Sequence, residues 1–501
     1  MSDSAWQIAA MLIYLLGMLA IGWYSYNRTK DLDDYMLGGR DLSPPVAALS
    51  AGAADMSGWL LMGLPGAVYA EGLVAAWIAV GLTVGAWLNW KVVAPRLRAY
   101  TQVANNSITV PSFLENRLHD RSRLLRLTSG LIILVFFTFY VSSGMVAGGV
   151  FFESSFGMDY RTGMLVVVAV TVAYTLFGGF LAVSYTDFVQ GLMMVCALVA
   201  VPLVGLVAVG GLPAATAAIQ EVDPGRLDMI RGATSIGVIS SLAWGLGYFG
   251  QPHIIVRFMA LRNAQEATAG RRIGIGWMLF SVLGAIGTSL VGIAYFVQHP
   301  ELAITDPETV YIRMGQLLFH PLIAGFMLAA VLAAVMSTIS SQLLVTASAL
   351  VEDLYKALGR APQADSRYVL LGRLAVLGVS LVACAMAWNK GGSILELVSF
   401  AWAGFGGAFG PTVLLSLYWR KLTATGALAG MIVGAVLVGW WGTASGGVFE
   451  LYEIVPGFVG NVLVAVVVSL LTFRPQEEIT VEFDESKRLA ELLVAEESAP
   501  V

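Results

Sequence analysis

Long apolar stretches recur along the whole of this chain, with short polar loops between them. Apolar residues make up 57% of the 501 positions, charged residues only 12%, and the mean hydropathy is +0.77. A soluble chain carries roughly 25% charged residues, and a membrane helix needs about 20 apolar residues. We therefore predict an all-α polytopic membrane protein with thirteen transmembrane helices, centred near residues 15, 57, 85, 140, 170, 197, 245, 284, 332, 377, 404, 434 and 462.

The basic residues divide unevenly between the two sides of this predicted bundle. If the amino terminus lies outside and thirteen helices follow, 23 of the 28 Lys and Arg residues fall on the inside. Cytoplasmic loops carry such an excess. We therefore expect an outside amino terminus and a cytoplasmic carboxyl terminus. The first apolar stretch, residues 5 to 23, lacks a basic segment before it and a cleavage pattern after it, so it is predicted to be retained as a helix.

Two of the predicted helices, residues 44–71 and 232–258, are interrupted by glycine and proline. The second reads SLAWGLGYFGQPHIIVRF and contains Gly245, Gly247 and Pro252. The two helices are five helices apart, so each would begin a five-helix unit, and the second unit would be inserted upside down. Paired broken helices at matching positions indicate the midplane binding site of a secondary transporter. Glycine and proline also mark close packing in membrane helices, and that alternative stays open for either helix alone.

Asp55 lies within the first of these interrupted helices, in the run AGAADMSGWLLMGLPG. An ionisable group at membrane depth is disfavoured by several kcal/mol unless it faces a cavity, a partner or an ion. Gly58, Gly63, Pro65 and Gly66 weaken the helix around it, which could free backbone carbonyls as further oxygen ligands. We therefore predict the functional site at Asp55.

The ninth predicted helix is rich in hydroxyl side chains. Such residues often serve helix packing or bond back to the preceding turn. The alternative is a site for a hard cation, because sodium takes about five or six oxygens and neutral dipoles supply them without net charge. The candidates are Ser337, Thr338, Ser340, Ser341, Thr346 and Ser348, with Ala334 one turn before the first two.

Four aromatic residues lie on helices near the predicted interruptions. They are Trp59, Tyr140, Trp244 and Tyr248, and the last two share a helix face because they are four residues apart. Membrane aromatics commonly serve the core or the interfacial belt. Beside unwound backbone, they could instead enclose a small apolar ring.

Other functional classes have weaker support in the sequence. The four histidines are scattered and form no metal-binding motif, and the two cysteines, Cys196 and Cys384, lie within apolar helices. We therefore expect no enzymatic activity. A transporter-like sensor would need an output domain, and the tail after residue 474 is too short for one. A channel stays open from broken helices alone.

The runs YMLGGR (35–40), DMSGWLLMGLPGA (55–67) and GYFGQPHI (247–254), with several others, resemble the sodium/solute symporter family, most closely its proline-transporting members. The resemblance extends from the first helix to about residue 474. Its most specific wording is DMSGWLLMGLPGA and GYFGQPHI. The matching runs are YMLGGR (35–40), ALSAGAADMSGWLLMGLPGAVY (48–69), FGGFLAVSYTD (177–187), WGLGYFGQPHI (244–254), AAVMSTISSQLL (333–344), EDLYK (352–356) and AWAGFGGAFGP (401–411).

The resemblance implies a leucine-transporter-like fold of two inverted five-helix repeats, with one extra amino-terminal helix and two extra carboxyl-terminal helices. It also implies sodium-driven import of L-proline across a bacterial cytoplasmic membrane, with a periplasmic amino terminus. Another small solute, such as a different amino acid, a betaine or a carboxylate, is the main alternative. The expected partners are L-proline, Na⁺ and the lipid bilayer, with no nucleic acid and no obligate protein partner.

By motif, the resemblance also assigns residues. The implied sodium ligands are Ala53, Met56, Ala334, Ser337 and Thr338, with Asp55 as the carboxylate required for coupling. The implied proline-binding residues are Asp55, Ser57, Gly58, Trp59, Tyr140, Trp244, Tyr248 and Pro252. Arg40 and Asp187 match charged positions that influence sodium use from the cytoplasmic side, although ordinary charges at a membrane boundary are the alternative. Ser341 departs from the pattern, because a pathway-lining cysteine is expected there.

These observations together imply a division of the chain. The predicted parts are a first helix and loop (1–43), a first repeat (44–210), an extracellular loop (211–231), a second repeat (232–418), two additional helices (419–474) and an acidic cytoplasmic tail (475–501).

Overall fold

The computed structural model describes residues 2–28, 32–358, 365–390 and 394–497, and this part of the chain is built from helices. Short 3₁₀ or π turns join several of them. The helices are α1 (Asp3–Tyr26), α2 (Leu32–Leu37), α3 (Pro44–Asp55), α4 (Leu64–Glu71), α5 (Trp77–Leu88), α6 (Ala94–Val103), α7 (Val110–Leu118), α8 (Leu124–Phe156), α9 (Tyr160–Ala208), α10 (Leu212–Val222), α11 (Ser235–Ala243), α12 (Pro252–Met259), α13 (Glu266–Gln298), α14 (Val310–Leu318), α15 (Pro321–Ser348), α16 (Asp365–Met386), α17 (Ile394–Tyr418), α18 (Ala424–Trp441), α19 (Ile454–Thr472) and α20 (Glu477–Glu497).

Within the described ranges, ten helical segments are long and apolar enough to cross a membrane. The other three predicted crossings correspond to the broken pair α3–α4, to the shorter apolar segment Tyr160–Leu176 and to Ser235–Gly250. The ten long segments are Asp3–Tyr26, Leu73–Val103, Leu124–Phe156, Gly178–Ala208, Glu266–Gln298, Pro321–Tyr355, Ser366–Met386, Ile394–Tyr418, Ala424–Trp441 and Ile454–Thr472.

The first predicted interruption is present, and it lies between Asp55 and the π turn that begins at Trp59. Helix α3 ends at Asp55, and Met56 leaves helical geometry with a ψ of 72°. A π turn over Trp59–Gly63 then leads into α4. Pro65 and Gly66 lie in the first turn of α4, directly after this π turn. Proline cannot donate a helical hydrogen bond, and the helix is distorted just before it. The full break lies at Met56–Gly58.

The second predicted interruption is also present. Helix α11 ends at Ala243, a tight 3₁₀ turn covers Trp244–Gly250, and α12 begins at Pro252. Gln251 between them is extended, with φ −81° and ψ 105°. The residue before a proline is disfavoured in the helical region. Pro252 thus separates the two halves and starts the second one.

Helix α9 joins two predicted crossings, those centred near residues 170 and 197. Gly179 lies inside it with φ 57° and ψ −151°, which is a kink rather than helical geometry. A β-carbon at this position would lie 2.6 Å from a ring carbon of Tyr35. Glycine permits both the positive φ and the close packing.

Helix α15 lies at the centre of the bundle, because its residues from Leu328 to Leu344 are all buried. It packs against α1, α3, α8 and α9. The end of α3 therefore meets α15 in the interior of the molecule.

The carboxyl-terminal helix α20 docks on one end of the bundle, next to α6. Its Phe483 is buried, and the guanidinium groups of Arg96, Arg117 and Arg420 lie over its ring. Glu482 of α20 lies 3.0 Å from the His119 ring nitrogen Nε2. The predicted acidic tail therefore forms a packed helix, and its last residues, 498–501, lie outside the described part.

Close backbone contact holds the second broken helix against α5. A β-carbon on Gly85 would lie 2.3 Å from the carbonyl oxygen of Gly245, and one on Gly245 would lie 2.3 Å from that of Gly81. Both neighbours are backbone atoms, which cannot rotate out of the way. Small residues at these positions are what allows the two helices to touch.

We therefore expect Gly85→Val to lower the thermal stability of the purified protein. Overpacking of this kind costs about 1–3 kcal/mol. Gly276→Ala is the matched control, because the structure shows no atom within 4 Å of a β-carbon there. Equal melting temperatures for the two variants would contradict the close contact of α5 with Gly245.

Candidate functional site

Oxygen atoms from α3 and α15 converge where α3 ends. Ser337 Oγ lies 2.7 Å from the Ala53 carbonyl oxygen and 3.1 Å from that of Ala334. Thr338 Oγ1 lies 3.5 Å and 3.2 Å from the same two carbonyl oxygens. Four of the predicted sodium ligands are thus brought together, and we call them the α3–α15 cluster.

The end of α3 explains why these carbonyls are available. The last four carbonyls of a helix have no partner within it. Ala53 lies in this last turn, and its carbonyl contacts the α15 hydroxyls. Met56 follows with a ψ of 72°, which turns its carbonyl away from the helix axis.

The donor set of the cluster suits a monovalent hard cation. It consists of neutral hydroxyl and carbonyl oxygens, which are hard ligands without net charge. The arrangement therefore fits Na⁺ better than a divalent ion.

The other hydroxyls of α15 serve different purposes. Thr346 and Ser348 donate to the carbonyls of Gln342 and Leu344 in their own helix, and Ser340 donates to that of Ser337. This back-bonding is the packing alternative that the sequence left open. Of the α15 hydroxyls, only those of Ser337 and Thr338 contact the Ala53 carbonyl at the end of α3.

Asp55, at the first helix break, is hydrogen-bonded to a residue beside the second one. Its carboxylate is buried, with an exposed fraction of 3%, and its Oδ2 atom accepts a short hydrogen bond from the Tyr248 hydroxyl. Tyr248 belongs to the turn that precedes the second break. Among the described residues, the other carboxylate oxygen, Oδ1, has no hydrogen-bond partner. A buried carboxylate with a free oxygen is suited to receive a cationic group.

Aromatic rings cover the second break. The Trp244 ring stacks on Trp402 at 6.4 Å and on Tyr452 at 5.2 Å between centroids. Tyr248 meets Trp402 edge to face at 5.2 Å. Trp402 also donates its indole N–H to the Trp244 carbonyl at 2.8 Å.

The sequence interpretation missed Trp402 and Tyr452. Trp402 lies in the run AWAGFGGAFGP, and that run was available as a signal. Tyr452 stands in a polar loop that gave no indication of its position.

Tyr140 approaches the first break from α8. Tyr140 is buried, and its hydroxyl makes no hydrogen bond of ordinary geometry within the described ranges. Its ring meets His253 edge to face at 5.9 Å. A buried hydroxyl without a partner is available to a ligand.

The remaining predicted substrate residues fall into two groups. Ser57 and Gly58 lie in the first break, Trp59 begins the π turn that follows it, and all three are buried. A β-carbon on Gly58 would lie 3.1 Å from atoms of both Ala147 and Val335, so glycine lets the break fit between α8 and α15. Pro252 instead lines a small separate cavity beside Thr109 and Asp353. Its place is at the start of α12 rather than with the aromatic rings.

Arg40 lies at one end of the bundle. It follows Gly38 and Gly39 in a turn of positive φ, and its guanidinium donates to the Ser107 carbonyl at 2.5 Å and to the Met259 carbonyl at 3.3 Å. It thus ties the start of the first broken helix to the end of α12.

Asp187 is fully buried rather than placed at a boundary. Its Oδ2 atom accepts from Ser50 at 2.8 Å, from Arg257 at 3.1 Å and from Ser341 at 3.3 Å. Its partner Arg257 lies on α12, and the Arg257 side chain is also buried. The Asp187–Arg257 ion pair links α9 to α12. The hydroxyls of Ser50 on α3 and Ser341 on α15 donate to the same carboxylate.

Comparisons with known proteins show which family this chain is similar to. The model of the sodium:solute symporter family matches residues 35–434. The high-affinity proline transporter PutP of Bacillus subtilis is 59% identical over 468 residues, which cover 93% of this chain and 98% of that protein. The osmoregulated proline transporter OpuE of the same organism is 54% identical over 472 residues, covering 93% and 95%. A sodium/proline symporter of Staphylococcus aureus is 50% identical over 484 residues, covering 94% of each chain.

Among solved structures, a substrate-bound, outward-open Na⁺-coupled sialic acid symporter matches with a TM-score of 0.81 at 20% sequence identity, covering 94% of this chain and 98% of that one. The nucleobase-cation symporter Mhp1 matches with a TM-score of 0.55 at 14% identity, covering 90% and 98%. At these identities the structures show a shared fold only. On the family match and the three close relatives, this chain belongs to the sodium:solute symporter family.

Proposed function

We propose that this chain is a sodium-coupled secondary transporter that imports L-proline across a bacterial cytoplasmic membrane by alternating access. Three relatives that are 50–59% identical over nearly their whole lengths carry names that specify proline transport. The observation that carries the mechanism is the meeting of two broken helices at the buried Asp55 carboxylate. Such a meeting is where secondary transporters bind their substrates. The activity is transport and involves no enzymatic step.

Sodium is a transported ion here, and its proposed site is the α3–α15 cluster. Ala53, Met56 and Ala334 would supply carbonyl oxygens, and Ser337 and Thr338 would supply hydroxyl oxygens. An ion at this position joins the broken helix to α15, so it favours the conformations in which the two helices are close. If sodium thereby raises the affinity for proline, proline raises the affinity for sodium by the same factor.

Proline is a zwitterion with a compact apolar ring, and the residues around the breaks match this chemistry. Asp55 can accept from the secondary ammonium, and the Tyr140 hydroxyl and freed backbone N–H groups can donate to the carboxylate. Aromatic side chains supply the apolar wall. The residues we assign are Asp55, Ser57, Gly58, Trp59, Tyr140, Trp244 and Tyr248, with Pro252 setting the start of α12.

Arg40 and Asp187 are proposed to control the conformational change rather than to bind proline. Both hold elements of the two broken helices together through hydrogen bonds. Breaking or forming these bonds would accompany the movement of α12 relative to α9.

The membrane potential provides part of the driving force. At 100 mV, one sodium ion that moves inward gains about 2.3 kcal/mol from the field. This is enough to concentrate a neutral zwitterion that moves with it.

We also propose thirteen crossings, namely the ten long segments and the three interrupted or shorter ones. The amino terminus would then be periplasmic and α20 cytoplasmic. The proposed division keeps two inverted repeats, 44–210 and 232–418, with one helix before them and two after them. The excess of Lys and Arg on the inner side supports this orientation.

The sialic acid symporter with the same fold indicates that the fold by itself does not select the solute. The deciding measurement is uptake of labelled L-proline into proteoliposomes under an inward sodium gradient, with a potassium gradient as the control. We expect accumulation that requires sodium and is blocked by excess unlabelled proline. Uptake blocked only by an unlabelled betaine or another amino acid would change the substrate while leaving the sodium coupling in place.

Replacement of Asp55 by Asn should abolish sodium-stimulated uptake while leaving the protein expressed and folded. The amide oxygen can still accept from Tyr248, so the variant removes the negative charge with little change in shape. Uptake assays at several sodium concentrations provide the measurement, and Asp55→Glu is the charge-retaining control. Normal sodium dependence of Asp55→Asn would exclude the role assigned to the carboxylate.

Removal of the Ser337 and Thr338 hydroxyls together, as Ser337→Ala with Thr338→Ala, should raise the sodium concentration for half-maximal uptake at least ten-fold. Each lost ligand hydroxyl weakens binding by about 1 kcal/mol, and two losses combine. Thr346→Ala is the matched control, since that hydroxyl donates to its own helix. An unchanged sodium requirement in the double variant would move the ion site away from α15.

A further inference from the structure

A basic cavity lies at the end of the bundle where α20 docks. It is bounded by the turn between α7 and α8, the start of α18, the end of α19 and the beginning of α20. Its volume is about 390 Å³, and small-ligand sites have volumes of roughly 300–1,000 Å³. We call it the α18–α20 cavity. None of the residues assigned to sodium or proline lines it.

Four basic side chains line the α18–α20 cavity, namely those of Arg121, Arg420, Lys421 and Arg474. Arg420 forms an ion pair with Asp484 of α20. The other three have no ion-pair partner among the residues that the structure describes. Cationic side chains pair strongly with carboxylate or phosphate groups. The cavity therefore offers three such groups to an anion that the protein itself does not supply.

Asp120 is the single acidic residue in the described lining of this cavity, and its carboxylate is already engaged. It accepts hydrogen bonds from the Ser122 hydroxyl at 2.6 Å, from the Ser122 N–H at 3.0 Å and from the Leu125 N–H at 2.9 Å. These bonds direct its charge to the start of α8. The cavity thus keeps an excess of positive charge.

The amino-terminal end of α18 adds to this charge. Thr423 caps the helix by accepting from the Gly426 N–H at 3.1 Å. Ala424 and Thr425, the first two residues of α18, line the cavity. The first N–H groups of a helix have no partner within it, and this end carries the positive part of the helix dipole. Backbone donors and basic side chains therefore converge on the same space.

The cavity lies where two membrane-crossing helices end. Ala424–Trp441 and Ile454–Thr472 are both long and apolar enough to cross a membrane, and the first residue of α18 and the last of α19 both line the cavity. Beside it, Leu470 is exposed and Leu471 is 81% exposed. Apolar side chains on membrane-crossing helices contact acyl chains. Basic pockets between membrane helices bind anionic lipid head groups.

We propose that the α18–α20 cavity binds the phosphate group of an anionic phospholipid from the adjacent leaflet. Arg121, Lys421 and Arg474 pair with the phosphate, and the first N–H groups of α18 donate to it. The acyl chains lie along α19, beside Leu470 and Leu471. The occupant is a lipid rather than a free anion, because exposed apolar surface continues from the cavity into the membrane.

A lipid bound in this way also holds α20 against the bundle. Gln476, Ile479 and Thr480, at the beginning of α20, line the same cavity as the basic residues of the α17–α18 loop. The lipid therefore contacts both parts at once and stabilises the docked position of α20. This inference is independent of the proposed sodium and proline sites.

The test uses the full-length protein, purified in a neutral detergent and stripped of lipid. Thermal unfolding is followed with added dioleoyl phosphatidylglycerol, dioleoyl phosphatidylcholine or inorganic phosphate, at constant ionic strength and without proline. A ligand that binds the folded state raises the melting temperature with its concentration. We expect phosphatidylglycerol to raise it and the other two additions to leave it unchanged.

The double variant Lys421→Gln with Arg474→Gln should need an about ten-fold higher concentration of phosphatidylglycerol for the half-maximal rise. Both side chains are exposed and make no ion pair in the described ranges. Without lipid, this variant should therefore melt at the temperature of its parent. Native mass spectrometry of the same samples counts the bound lipid directly, so the result does not depend on stability alone.

Arg271→Gln with Arg272→Gln is the matched control. These residues lie near the start of α13, at the same end of the bundle, because Ala264 just before α13 packs against Ala490 of α20. They do not line the cavity. The control removes the same charge and should keep the full response to phosphatidylglycerol.

Lys421→Arg with Arg474→Lys retains both charges and should also keep the response. Loss of the response in this pair would mean that packing rather than charge is responsible, which overturns the proposal.

Three further outcomes would overturn the lipid site. Equal responses to phosphatidylglycerol in both Gln pairs would mean general attraction to a charged surface. An equal rise with inorganic phosphate would mean an anion site that does not select lipid, and an equal rise with phosphatidylcholine would mean acyl-chain contact only. Since the assay contains no proline and no ion gradient, each of these results leaves the transport proposal to its own test.

Discussion

The buried carboxylate of Asp55 links the two broken helices of this bundle. A charged group at membrane depth is costly unless other groups compensate for it. Helix α3 ends at Asp55, and the Tyr248 hydroxyl from the second broken helix donates a hydrogen bond to one carboxylate oxygen. This hydrogen bond offsets part of the cost of burying the charge. The two breaks are therefore coupled through one side chain. Everything proposed for ion and substrate binding lies within the surroundings of that contact.

Two buried carboxylates in the same bundle are compensated differently, and the difference matches their proposed roles. Asp187 is paired with the buried Arg257 and accepts from hydroxyls of α3 and α15, so its partners are supplied by the protein. Asp55 has a hydroxyl partner on one oxygen and none on the other within the described residues. A closed ion pair suits a structural link between moving helices. A carboxylate with one unpaired oxygen suits a ligand that binds and is then released.

The fold and part of the site could be predicted from local sequence because they follow from local physics. Apolar length indicates membrane helices, and an isolated Asp55 among glycines indicates a cavity. The hydroxyls of Ser337 and Thr338 could be identified as candidates because small polar groups in an apolar helix need partners. The first break was expected near Asp55 and Gly58, but its first non-helical residue could not be predicted. That residue is Met56, and methionine is an ordinary helix former.

Hydropathy and motifs were enough to identify a chain with many membrane helices, its family and its exceptional carboxylate. The groups that surround that carboxylate became apparent only from the packed helices. Arg257 resembles a boundary charge in the sequence, and Asn89 resembles an ordinary polar residue near a helix end, yet both are buried beside the broken helices. Trp402 reaches the second break from more than 150 positions along the chain. The physical reason is that hydropathy and helix signals act over a few neighbouring residues, whereas burial and partner choice depend on helices that meet only after packing.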